Sequence, residues 1–229
     1  KVTAEPMAVI PHSNVGLMNG TMGIFNAWCD RVPMLVMGAT GPVDAHARRP
    51  WIDWLHTMSD QSALVRPFLK WDNQPASIPA AIEALLRANQ ITRAAPRGPV
   101  YVNFDAALQE ARLDSMPPLP EVSRYAPPAP AAPNAAALAE AVALLRGAET
   151  PLILSGRVSR STEDWARRVA LAEHLNARVH SDFRAGASFP TDHALHVGAP
   201  ATFLGAEAAQ AIREADVILA LDWIDLAGT

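Results

Sequence analysis

A chain of 229 residues, half of them hydrophobic, is long enough to bury one large core or two modest ones. Its formal net charge of -4, without any run of lysine and arginine, argues against a surface for nucleic acid or for an anionic membrane. The single cysteine, Cys29, excludes an intrachain disulfide framework, fits a cytoplasmic protein and is expected to be a small core residue on a helix. No apolar run approaches the roughly 18 residues that a membrane span needs, so we expect a small molecule or another subunit as partner.

The first 105 residues alternate β-rich runs with helical segments, a pattern typical of a parallel sheet covered by helices on both faces. In chain order, the predicted elements are a strand at 7–10, a helix at 15–29, a strand at 33–38, a strand near 67–71, a helix at 78–93 and a strand at 99–104. Ser13 and Asn14 are residue types that commonly cap a helix, and we expect them to precede the first one.

Residues 39–66 contain glycine, proline and several turn-like breaks, which predicts a long loop with short helical pieces such as 60–65. Loops of this length in compact domains are usually functional or mobile. Charged and aromatic side chains gather here: His46, Arg48, Arg49, Trp51, Asp53, Trp54 and His56. Two interpretations stay open, a substrate lid or subunit contact on the one hand and local packing on the other.

A proline- and alanine-rich segment then divides the chain. Prolines recur between residues 115 and 134, which favours an extended, polyproline-like linker. Beyond it the alternation resumes, with helices predicted at 135–146, 162–175 and 206–214 and strands at 151–155, 178–181 and 217–221. The predicted fold is therefore α/β, with two units of parallel sheet flanked by helices at 1–114 and 135–229. Both units are expected to be incomplete, because the chain starts at Lys1 and its last strand has no closing helix.

The segment from His12 to Asn19 lies at a strand-to-helix junction, where backbone N–H groups and the positive end of the helix dipole can meet a ligand. Gly16 would allow a close backbone approach, Asn19 could hydrogen-bond a polar ligand, and His12 could move a proton near neutral pH. The residues alone leave a second interpretation, a capped helix with a surface histidine.

This segment resembles benzoylformate decarboxylase. The shared positions are His12, Ser13, Gly16, Asn19, Gly23, Asn26, Ala27 and Trp28. The run continues with Arg31-Val32-Pro33, Leu69-Lys70-Trp71 and residues 95–102, which are similar to the wider thiamine-diphosphate family that includes acetohydroxyacid synthase, oxalyl-CoA decarboxylase and 2-hydroxyacyl-CoA lyase. Residues 148–156, 189–198 and 215–219 resemble the central domain of that family.

The resemblance implies a partial pyrimidine-binding domain at 1–114, a linker at 115–134 and a partial central domain at 135–229. It implies thiamine diphosphate and Mg²⁺ as cofactors, a 2-oxo-acid substrate, and a homodimer or homotetramer. His12 would take part in proton transfer, and Gly16 and Asn19 would contribute to the cofactor pocket. The metal ligands are expected outside this chain, because the sequence contains no Gly-Asp pair. The family glutamate that promotes cofactor activation is expected upstream of Lys1, so the chain alone should be inactive.

Three functions follow as hypotheses. The first is part of a 2-oxo-acid decarboxylase or other C–C lyase, the second an acetolactate synthase-like carboligase, and the third a non-catalytic α/β binding or interaction module. Arg184, Gly186 and residues 189–198 fall where acetohydroxyacid synthases bind FAD, but the sequence after Gly198 departs from their pattern, which argues against FAD. Structural or exposed roles are expected for the remaining histidines of the second half, His174, His180, His193 and His196, because they lack metal-ligand spacing.

Overall fold

Two parallel β-sheets, one in each of two units of the chain, carry the architecture of the computed structural model, which describes residues 2–229. The first unit ends at Pro130 and the second runs from Ala131 to Thr229. The boundary between them lies inside the proline-rich segment. The predicted α/β class with two parallel, helix-flanked sheets is confirmed.

The first unit holds a four-stranded sheet in the order β1-β2-β4-β3, with every neighbouring pair parallel. Its elements are β1 (Met7–Val9), α1 (Ser13–Cys29), β2 (Met34–Thr40), α2 (Ile52–His56), β3 (Trp71–Asn73), α3 (Ile78–Arg93), β4 (Pro99–Asp105) and α4 (Ala106–Gln109). Its core forms where Leu17 and Ile24 of α1 pack against Val36 and Tyr101 of the two central strands. Leu17 and Ile24 are two helical turns apart and therefore lie on one face of α1.

The second unit holds a three-stranded parallel sheet in the order β6-β5-β7. Its elements are α5 (Ala135–Gly147), β5 (Pro151–Ser155), α6 (Thr162–Leu175), β6 (Arg178–Ser181), α7 (Ala206–Glu214) and β7 (Val217–Leu221). All five residues of the central strand β5 are buried, as expected for an apolar strand that is paired on both edges. Ile153 packs with Ala172, Val179 and Phe189 on one side of this sheet.

Three local expectations were wrong. The strand expected near 67–71 lies at β3, because Arg66–Phe68 forms a 3₁₀ turn that contains Pro67, a residue without a backbone N–H. Helix α1 begins at Ser13, so Ser13 and Asn14 lie inside it instead of capping it. Cys29 is exposed, because the buried face of α1 ends at Ala27 and a residue two positions further lies on the opposite side.

A buried polar network anchors the long loop to the first sheet. Gln61, which is fully buried, donates from Nε2 to the Ala39 carbonyl at 3.0 Å and to the Tyr101 hydroxyl at 2.8 Å. The Tyr101 hydroxyl in turn donates to Asn103 Oδ1 at 3.1 Å. Burial disfavours the phenolate and raises the pKa of Tyr101 to about 12. This part of the loop is therefore an integral part of the unit.

The raised pKa predicts a loss of stability at alkaline pH. Below the ordinary tyrosine pKa of 10.0, the neutral phenol of Tyr101 is present in both states and its contribution is complete. As pH rises from there toward about 12, the unfolded phenol ionises first and the contribution is lost. We expect the urea midpoint of Tyr101→Phe to fall less steeply over this window than that of the native chain. The matched control is Tyr125→Phe, which alters the second of the two tyrosines; parallel slopes for all three proteins would contradict the prediction.

Candidate functional site

The candidate site is the junction between β1 and α1. His12 is the residue before α1, with an extended backbone and an exposed side chain. No side-chain hydrogen bond from the described residues caps this helix end, and its first turn contains no acidic residue. The first-turn N–H groups of a helix lack partners within the helix and carry partial positive charge. The arrangement thus places an imidazole beside backbone donors that favour an anionic group.

Ser13 adds backbone strain at this place. Its φ is +48°, in the left-handed region that non-glycine residues seldom adopt. The side chains that resemble helix caps serve another purpose: Ser13 Oγ donates to Asn14 Oδ1 at 3.1 Å, and Asn14 Nδ2 donates to the Leu55 carbonyl at 3.0 Å. Both residues are buried and link α1 to α2. Strained backbone of this kind concentrates at functional sites.

Gly16 packs closely against Pro11, the residue that precedes His12. Its backbone N–H donates to the His12 carbonyl at 2.6 Å, and a Cβ atom at this position would lie 2.9 Å from the carbonyl carbon of Pro11. The space beside Gly16, which we expected a ligand to approach, is therefore occupied by the backbone of Pro11. Contact between Gly16 and a cofactor stays a prediction.

Asn19 lies two turns further along α1, about 10 Å from His12 along the helix axis. Its side chain is exposed, and Nδ2 donates to the Val15 carbonyl of the same helix at 2.9 Å. The structure thus places Asn19 on the same helix as His12 but not beside it, and its pocket role also stays a prediction.

His56 is the residue that sequence reasoning did not associate with His12. It ends α2, and its ring meets the His12 ring edge to face, with 5.0 Å between centroids and an interplanar angle of 73°. The His56 carbonyl accepts from Gly41 N at 3.1 Å, which fixes the end of α2 against the chain that follows β2. In the sequence, His56 is recognisable only as one of the charged and aromatic loop residues, because no local pattern relates it to His12.

The loop also forms an open cleft of about 510 Å³. It brings together five of the seven residues singled out in the loop, and its lining consists of Arg48, Arg49, Pro50, Trp51, Asp53, Trp54, Thr57 and Ser59. Trp51 and Trp54 are exposed. His46 lies on the 3₁₀ turn Ala45–Ala47, outside that lining.

A buried carboxylate organises this cleft. Asp53 is 2% exposed and accepts from Arg49 three times, from N at 2.6 Å, from Nε at 3.2 Å and from Nη2 at 3.3 Å. These hydrogen bonds hold the pKa of Asp53 below its usual value. Arg49 also pairs with Glu110 at 3.1 Å. Much of the charge in the loop therefore serves to order the loop itself.

In the second unit, the segment compared with a flavin site packs within its own unit. Phe189 is buried, with His193 edge to face at 5.3 Å and His196 stacked at 6.4 Å. Burial lowers the pKa of His196, and neighbouring His180 adds to that effect. Arg184 pairs with buried Asp182 at 3.0 Å.

Across residues 2–229, no group of three His, Cys, Asp or Glu side chains is placed to hold a metal ion. None of the helices in the same range has the length and apolar character needed to cross a bilayer.

Comparison with known sequences matches residues 138–222 to the family model of the thiamine pyrophosphate enzyme central domain. A sulfoacetaldehyde acetyltransferase of Rhodobacter capsulatus is 30% identical over 93% of this chain and 34% of its own length. An acetolactate synthase large subunit of Corynebacterium glutamicum is 28% identical over 96% of this chain and 34% of its own length. A benzoylformate decarboxylase of Pseudomonas aeruginosa is 30% identical over 89% of this chain and 38% of its own length. The chain thus spans little more than a third of the length of these curated relatives.

Comparison with solved structures gives the same fold. The crystal structure of benzoylformate decarboxylase from Polynucleobacter necessarius superposes with a TM-score of 0.77 over 96% of this chain and 40% of that one, at 23% identity. The match extends through both units, each of which therefore has a counterpart in that protein.

Proposed function

The chain belongs to the thiamine pyrophosphate enzymes, and from that premise we propose that it is the pyrimidine-binding and central part of a thiamine diphosphate-dependent 2-oxo-acid decarboxylase or related C–C lyase. The observation that carries the proposal is His12, an exposed imidazole at the N-terminus of α1, within a segment that resembles benzoylformate decarboxylase. Protein groups in such enzymes bind, orient and manage protons, while the cofactor carries the difficult chemistry.

The described residues do not by themselves fit the whole cofactor. Among residues 2–229, no group of three His, Cys, Asp or Glu side chains is placed to hold a metal ion, and the chain contains no Gly-Asp pair. We therefore place the metal and diphosphate ligands outside this chain, where the longer relatives have further sequence. Thiamine diphosphate, when bound, would supply the nucleophile and electron sink for C–C cleavage.

His12 would handle a proton at the reacting centre. An imidazole changes charge close to neutral pH and can act as acid or base in the same cycle. The first-turn N–H groups of α1 would at the same time favour the carboxylate of a 2-oxo acid. As the resemblance implies, Gly16 and Asn19 would contribute to the cofactor pocket of the complete enzyme.

A carboligase is the second candidate. It is favoured by the acetolactate synthase large subunit of Corynebacterium glutamicum, which is 28% identical over 96% of this chain. A non-catalytic α/β module is the candidate of another class. It would require that the natural polypeptide, like this chain, lacks the metal ligands.

We also propose a homodimer or homotetramer in the cytoplasm. An apolar stripe on α1 supports subunit contact, because Val15, Met18, Met22 and Phe25 recur at helical spacing and are all exposed. Exposed apolar surface of this kind commonly marks a protein interface.

The test begins with the intact mass of the natural polypeptide, compared with the 24.5 kDa of this chain. We expect a mass more than twice as large. The natural protein, supplied with thiamine diphosphate and Mg²⁺, should then release CO₂ from a 2-oxo acid such as benzoylformate. Formation of acetolactate from pyruvate would instead establish the carboligase. A natural mass near that of this chain, or no turnover of any 2-oxo acid, would favour the non-catalytic module.

A further inference from the structure

We propose that His56 is a positioning residue for His12, holding its imidazole in one orientation through an edge-to-face ring contact. The inference rests on the proposed function and deepens it, because it assigns a role to the loop that precedes β3. Neither the resemblance nor the comparisons assign His56 a role.

The first support is the ring contact. The two imidazoles meet edge to face with centroids 5.0 Å apart, inside the range in which aromatic pairs attract one another. His12 is exposed, so packing restricts rotation of its side chain less than it would for a buried residue. The His56 ring therefore removes freedom that an exposed histidine would otherwise have.

The second support is that His56 is itself held on several sides. Gly41 N donates to its carbonyl at 3.1 Å, and the adjacent Leu55 carbonyl accepts from buried Asn14 at 3.0 Å. One turn earlier, Asp53 is fixed by its hydrogen bonds to Arg49. Because Asn14 lies two residues after His12, the same contacts fix His56 relative to His12.

The experiment measures His12 directly in the natural full-length protein. The probe is diethyl pyrocarbonate, and peptide mass spectrometry follows the rate at which His12 is modified at one fixed pH. His56→Gln removes the ring, whereas His56→Phe keeps an aromatic ring at this position. The control is His46→Gln, which changes an exposed histidine of the same loop. Circular dichroism verifies that each variant is folded.

We expect faster modification of His12 in His56→Gln and a near-native rate in His56→Phe. Turnover (kcat) of His56→Gln should fall by roughly 10- to 100-fold, the size expected for a displaced catalytic group, and His56→Phe should retain most of the native turnover. The His46→Gln control should match the native protein.

An unchanged modification rate of His12 in His56→Gln would overturn the inference, even if the enzyme is a 2-oxo-acid lyase. Absence of any 2-oxo-acid turnover in the native protein would overturn the proposed function instead, and the modification data would still show whether the two histidines are coupled.

Discussion

Replacing His12 by alanine should lower kcat of the complete enzyme by about 100- to 10,000-fold, the usual contribution of a positioned acid–base group. His12 is exposed and precedes a helix that its side chain does not cap. The free energy of unfolding should therefore change by no more than about 1 kcal/mol, the size of the ring contact with His56 that the substitution removes. Steady-state kinetics and urea unfolding of the same preparation measure the two quantities.

The matched control for His12→Ala is His174→Ala, which removes another exposed histidine from α6 in the second unit. It should leave both quantities unchanged. Native turnover in His12→Ala would remove His12 from the catalytic machinery. A loss of turnover accompanied by an equal loss of stability would make its role structural.

Replacing Gly156 by alanine should destabilise the second unit by about 3 kcal/mol, at the upper end of the range for overpacking. Gly156 follows β5, and its N–H donates to the Leu221 carbonyl at 3.0 Å. A Cβ atom there would lie 2.1 Å from the Asp222 carbonyl oxygen and 2.7 Å from the Trp223 Cα. Both atoms belong to the backbone, so no flexible side chain can move to relieve the clash.

The control for this substitution is Gly147→Ala, because a Cβ atom at the last residue of α5 meets nothing within 4 Å. Alanine favours helix over glycine by up to about 1 kcal/mol, so this variant should be as stable as the native chain or slightly more so. The urea midpoint at constant m-value compares the two variants, with hydrogen exchange of β5 reporting on the second unit. Equal midpoints would show that the Asp222–Trp223 backbone can shift at little cost.

The second unit was the more predictable of the two. Strands β5, β6 and β7 and helices α6 and α7 lie where the sequence placed them. Local signals explain this, since Ser161 caps α6 by accepting from Asp164 N, and Asn134 caps α5 by accepting from Ala136 N and Ala137 N. In the first unit, β3 was misplaced because Trp71–Asn73 carries little apolar pattern and is a strand through its pairing with β4.

The α/β class and the position of the two sheets could be predicted from the amino-acid sequence. The resemblance to thiamine-diphosphate enzymes was recognisable there as well, through the residues from His12 to Trp28. These properties depend on local periodicity, on capping residues and on motif spacing, all of which are read along the chain. Only the tertiary structure shows that Gly16 leaves space for Pro11, that Asn14 donates to the Leu55 carbonyl and that the His56 ring contacts the His12 ring. Each of these contacts depends on how the chain folds back on itself, and neither hydrophobic period nor residue type specifies which distant side chains then become neighbours.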